Sequence, residues 1–96
     1  MIDDLIKQWG REKGINNPDK QTVKLMEEVG ELAHEICRGN YNSAELKDAL
    51  GDIQVVLLIL SDILDVSLDE CKKMAYDVIT KRSGYTVDGC FIKSEE

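Results

Sequence analysis

Five carboxylates in the middle of the chain are spaced for chemistry. Glu27, Glu28 and Glu31 lie close together, and Asp48 and Asp52 follow about twenty residues later. Residues three apart neighbour each other on one helix face, so Glu28 and Glu31 form a pair. Two carboxylates from one helix and one or two from another make an all-oxygen cage. Hard oxygen ligands without Cys or His suit Mg²⁺, with Mn²⁺ as the alternative. Such an ion keeps waters, shares its coordination with substrate phosphates and reverses the local sign for an anionic ligand. The plain alternatives are a solvated acidic face or salt bridges to Lys and Arg.

Helices must position these groups. Leu5, Ile6 and Trp9 at helical spacing predict a first helix over residues 2–13, stopped by Gly14. Asn17-Pro18 caps and opens a second over 18–38, stopped by Gly39. Asn42 is the predicted cap of a third over 43–64, with Glu45 in its first turn. Ser67-Leu68-Asp69-Glu70 has the capping-box pattern and opens a fourth over 68–82. Residues 85–96, with Asp88-Gly89 among them, read as an extended arm with a turn.

On a helical wheel, the second helix gathers Leu25, Met26, Val29, Leu32, Ala33 and Ile36 on one side. Glu27, Glu31, Glu35, His34 and Lys24 fall on the other, with Glu28 at the border. The third helix is apolar nearly all round from Ile53 to Leu60, which predicts burial between helices or between subunits. Asp48 and Asp52 line up with that apolar face. A carboxylate there is costly unless paired or metal-bound, so Asp48 or Asp52 is expected to face Glu28 and Glu31.

Composition narrows the function classes. The 96 residues allow one domain, residues 1–96, expected to be all-α. A formal net charge of −7 argues against nucleic-acid or anionic-membrane partners. No apolar run approaches the roughly 18 to 20 residues that cross a bilayer. The start, Met1-Ile2-Asp3-Asp4, does not read as a secretory leader, so the cytoplasm is the expected compartment. Cys37, Cys71 and Cys90 form no Cys-x-x-Cys pair and His34 is the single histidine, which disfavours zinc sites and a disulfide framework.

The segment Lys24-Leu25-Met26-Glu27-Glu28-Val29-Gly30-Glu31-Leu32 resembles the Lys-Leu-x-Glu-Glu-x-x-Glu-Leu motif of MazG-type nucleoside triphosphate pyrophosphohydrolases. Asp48-Ala49-Leu50-Gly51-Asp52 resembles their second motif, Glu-x-x-Asp. The likeness covers most of residues 20–83, and the small size is most similar to short MazG-like proteins of phages and the bacteria that carry them. It implies a four-helix all-α bundle, a homodimer or homotetramer, and Mg²⁺-dependent hydrolysis of a (deoxy)nucleoside triphosphate to monophosphate and pyrophosphate. By position it implies Glu28, Glu31 and Asp52 as metal ligands, with Glu27 in the same shell, holding a second metal or orienting the attacking water. Where the family has its second-motif Glu, this chain has Ala49. Asp48, one turn from Asp52, is the candidate replacement, which makes the expected metal set Glu28, Glu31, Asp48 and Asp52. Lys24, Lys81 and Arg82 are the basic residues expected to meet phosphate, and Trp9 is the candidate for stacking on a base.

Ala49 also leaves room for a second class: a catalytically weakened bundle that binds a nucleotide or a protein without turnover. A third class, a purely structural dimerisation module, leaves the acidic cluster without a purpose. Association is expected to run through the third helix.

Overall fold

Local chemistry sets the start of three of the four helices. The computed structural model describes residues 1–94. They form α1 (Ile2–Glu12), α2 (Pro18–Cys37), α3 (Ala44–Ile63), α4 (Leu68–Ile79), β1 (Gly84–Val87) and β2 (Cys90–Lys93). Asn17 accepts from the Lys20 amide at 3.0 Å, and Pro18 follows where no donor is needed. The α3 cap is Ser43 rather than the expected Asn42: its hydroxyl accepts from the Leu46 amide at 3.0 Å. Ser67 caps α4 in the same way.

The helix ends share one device. Gly14 after α1 and Gly39 after α2 take positive φ, and the following amides reach back to Gly10 and Glu35 carbonyls. After α3 the same turn is made by Asp65, at φ 55. Helix α4 stops at Ile79, three residues short of the expected Arg82. The coil continues there as tighter i to i−3 bonds from Lys81 and Arg82. Within the described residues the expected arm is a hairpin in which Asp88 and Gly89, both at positive φ, form a two-residue turn, and its residues 95 and 96 lie outside the described ones.

Helix α3 is the axis of the fold, in contact with α1, α2 and α4. It holds the buried aliphatics Leu46, Ala49, Val56, Leu58 and Ile59. Helix α1 crosses close to it at Gly10, where a Cβ would sit 3.1 Å from Ile59. Arg11 grips Asp62 with two nitrogens, one at 2.8 Å. Of the apolar run from Ile53 to Leu60, Val56, Leu58 and Ile59 are buried, and Ile53, Val55, Leu57 and Leu60 are partly exposed.

The wheel drawn for α2 needs correction. Its inward line is Gln21, Leu25, Glu28 and Leu32, whereas Met26, Val29 and Ile36 are exposed. The residue placed at the border, Glu28, faces α3. Helix α3 packs on the side of α2 that carries Gln21 and Glu28 together with Leu25 and Leu32. The Gln21 side chain donates to the Val56 carbonyl at 3.3 Å, linking the two helices. Among the described residues, α4 and the hairpin bury none.

Candidate metal centre

Helices α2 and α3 run antiparallel, joined by the short turn after Gly39. That arrangement brings the first half of α2 beside the middle of α3. Glu28, Glu31 and Asp52 each offer one carboxylate oxygen, and these oxygens lie within 4.8 Å of one another. Glu28 is buried at 5% exposure, Asp52 is half-buried and Glu31 opens to solvent. Lys24 approaches one Glu28 oxygen at 3.1 Å, one turn back on the same helix. The other oxygen, Oε2, is buried with no hydrogen-bond partner among the described residues. A buried anionic oxygen without a partner is costly, and a cation removes that cost.

The electrostatics agree with crowding of like charge. The Glu31 carboxyl is held above its usual range, chiefly by the Glu28 charge, with burial adding to it. Asp52 is also raised, first by burial and then by Asp48 and Glu28. Lys24 is raised by its hydrogen bond and charge contact with Glu28. One lysine thus partly offsets three converging carboxylates, and the donor set is oxygen alone. That set fits a hard divalent cation.

Two recesses flank the cluster. An acidic groove of about 520 Å³ lies between α2 and α3, lined by Glu27, Glu31, Glu35, Glu45 and Asp48. Its floor includes Ala49, which is buried at 4% exposure. A second recess, about 530 Å³, is lined by the Gly14–Asn17 turn, Lys20, Gln21 and Lys24. Lys24 therefore belongs both to that recess and to the cluster.

A family model described as the MazG nucleotide pyrophosphohydrolase domain matches residues 17–85, which include all of α2, α3 and α4. The chain belongs to the MazG family. Among curated proteins, this MazG chain is similar to an uncharacterized 18.2 kDa protein of the rep-hol intergenic region of Haemophilus phage HP1 (strain HP1c1). The two are 37% identical over 59 residues, which are 58% of this chain and 35% of that relative. The matched stretch therefore spans about a third of the relative's length. No solved structure matches the chain.

Of the residues expected to hold metal, Glu28, Glu31 and Asp52 converge, while Asp48 stands beside them in the groove and acts on Asp52 through its charge. Glu27 is exposed and lies 3.7 Å from Lys24. Of the residues expected to meet substrate, Lys24 is at the cluster. Trp9 is half-exposed on α1 and lines neither recess. Lys81 and Arg82 lie beyond α4 at the root of the hairpin, and neither lines a flanking recess. Sequence reasoning passed over Gln21. Its signal was its position, seven residues and thus two turns before Glu28 on the same helix line.

No helix among the described residues is long and apolar enough to cross a membrane.

Proposed function

We propose that this MazG chain hydrolyses a (deoxy)nucleoside triphosphate to monophosphate and pyrophosphate with Mg²⁺, or Mn²⁺ in its place. The observation that carries the reading is the unpartnered, buried Glu28 oxygen beside Glu31 and Asp52. Those three residues would hold the ion. When bound, it supplies charge neutralisation on the phosphates and a more acidic water. Asp48, in the groove, would help hold the ion in place of the carboxylate missing at Ala49. Glu27 and Asp48, both in the acidic groove, accept hydrogen bonds from the attacking water, and one of the two takes up its proton. Water adds to the α-phosphorus, the bond to the bridging oxygen breaks, and pyrophosphate leaves.

Lys24 is the cation in place to meet a phosphate oxygen. Lys20, Asn16 and Asn17 in the adjoining recess extend that polar surface. A triphosphate lying from the cluster into this recess meets cations and amides rather than the acidic groove. The cytoplasm is the proposed place of action, since the substrate and the ion are both found there.

A panel of ribo- and deoxynucleoside triphosphates, each with Mg²⁺ and with chelator, tests the reading by chromatography of products. Monophosphate plus pyrophosphate, formed only with the ion, is expected. Turnover that persists in chelator, or monophosphate without pyrophosphate, rejects it. The buried Ala49 favours one further reading, a site that binds nucleotide without turnover. Metal-dependent nucleotide binding with no product across the panel selects that reading.

A further inference from the structure

The recess beside the cluster holds a polar atom that the fold leaves unused. Gln21 is buried, at 7% exposure, and lines that recess. Its side-chain nitrogen donates to the Val56 carbonyl at 3.3 Å. A carbonyl only accepts, so this bond fixes which end of the side-chain amide is nitrogen. The backbone N–H of Gln21 is taken by the Asn17 carbonyl at 3.0 Å. The side-chain oxygen, Oε1, makes no hydrogen bond among the described residues. Unlike Glu28 Oε2 it is not sealed in, and the open space beside Gln21 is the recess. An acceptor held on a buried side chain normally has a partner.

That oxygen selects what can lie against it. It needs a donor, and an ionised phosphate has none to give. Lys24 stands between Gln21 and Glu28 on α2. The rise from Gln21 to Lys24 is about 4.5 Å, and to Glu28 about 10 Å. A nucleotide whose α-phosphate meets Glu28's ion and Lys24 therefore brings to Gln21 the group joined directly to that phosphate, its sugar. The lining agrees. It carries Lys20 and Lys24 and no carboxylate, whereas the groove on the other side has five.

We propose that Gln21 Oε1 accepts a hydrogen bond from a sugar hydroxyl of the nucleotide, which makes Gln21 a residue that selects the sugar. The inference rests on the reading of a nucleotide at the cluster and adds the group that reads its sugar. A nucleotide lacking the hydroxyl leaves a buried acceptor unpaired in the complex, and discrimination comes from that loss.

The probes are the α,β-methylene analogues of the ribo-, deoxyribo- and dideoxyribonucleoside triphosphate of one base, each with Mg²⁺. Their carbon bridge blocks cleavage, so calorimetry reads binding alone. The unaltered protein should lose about 10-fold or more in affinity at one step of this series, and the step names the hydroxyl. In Gln21→Met the three should bind within about twofold of one another, which closes a cycle on the pair. In the unaltered protein, the NMR signal of the Gln21 side-chain amide should also move on binding the analogue that bears the hydroxyl and not the one that lacks it. A flat series in the unaltered protein overturns the proposal. So does an amide signal that ignores the hydroxyl. A uniform loss in Gln21→Met with the step intact overturns it too, since that is the effect of helix alignment alone. A step in binding without cleavage of the natural triphosphates upholds it and rejects only the catalytic reading. Failure of all three analogues to bind rejects both.

Discussion

At the residue scale, the cluster is a set of like charges held together without enough counter-charge. Glu31 and Asp52 both sit above their ordinary carboxylate values. The folded chain therefore binds protons at these positions more readily than the unfolded chain. Their linkage opposes folding at neutral pH and is relieved as pH falls through the raised values toward the ordinary range. Asp62 runs the other way. Its hydrogen bond to Arg11 lowers it, so its contribution holds above the ordinary Asp value and fades as pH falls through the lowered one. Two outcomes are expected. Metal-free Asp52→Asn should melt at or above the temperature of the unaltered protein at neutral pH, and the gap should narrow as pH falls toward the ordinary carboxylate range. Added Mg²⁺ should raise the melting temperature of the unaltered protein and leave Glu28→Gln and Asp52→Asn unmoved. Turnover in those variants should fall about 100-fold or more, beyond the 10- to 100-fold typical of losing an outer-shell partner. Equal Mg²⁺ stabilisation in all three proteins would sink the site assignment.

Elements carry the alignment that the residues need. Gln21 bonds to α3 at Val56, two turns before Glu28 meets Asp52. That contact fixes how α2 sits along α3. Gln21→Met keeps the volume and removes the donor, and about 1 kcal/mol of stability should go with it. Denaturant titration measures that loss. The end of α3 offers a gain instead. Asp65 takes the left-handed conformation that glycine takes after α1 and α2, and its negative charge lies at the unfavourable end of the helix dipole. Asp65→Gly should stabilise by about 1 kcal/mol, the lower part of the cost of that conformation for a side-chain-bearing residue. An unchanged or lower denaturation midpoint would refute it. Much of this was readable beforehand. The glycine stops, Pro18 and the Ser67 box marked helix ends because they act through local hydrogen bonds. That Asp48 or Asp52 would face Glu28 and Glu31 was visible because helical spacing and an apolar run constrain it, and the family resemblance pointed to Asp52. The rotation of α2 was not visible. A wheel weighs residues by type, and Met26, Val29 and Ile36 look as inward as Leu25 and Leu32 until α3 is placed. Gln21 was hidden for the same reason, since a polar side chain reads as surface until its backbone partner is known.

At the scale of the whole molecule, the division is between a body that buries its side chains and an arm that does not. Among the described residues, every buried one belongs to α1, α2 or α3. The sequence pointed to α3 as the contact because its apolar run is the longest. In the fold Val56, Leu58 and Ile59 of that run are buried and its other aliphatics stay partly exposed, while the shorter stripes of α4 and the hairpin are exposed.

The junction between body and hairpin has one more consequence. Lys81 and Arg82, both exposed, occupy the neck between Ile79 and Gly84. Trypsin cuts after these two residue types. The neck stands open, and a cut there severs the hairpin while α2 and α3 keep their carboxylates together. Limited digestion then separates, within one preparation, what the hairpin contributes from what the carboxylate cluster does.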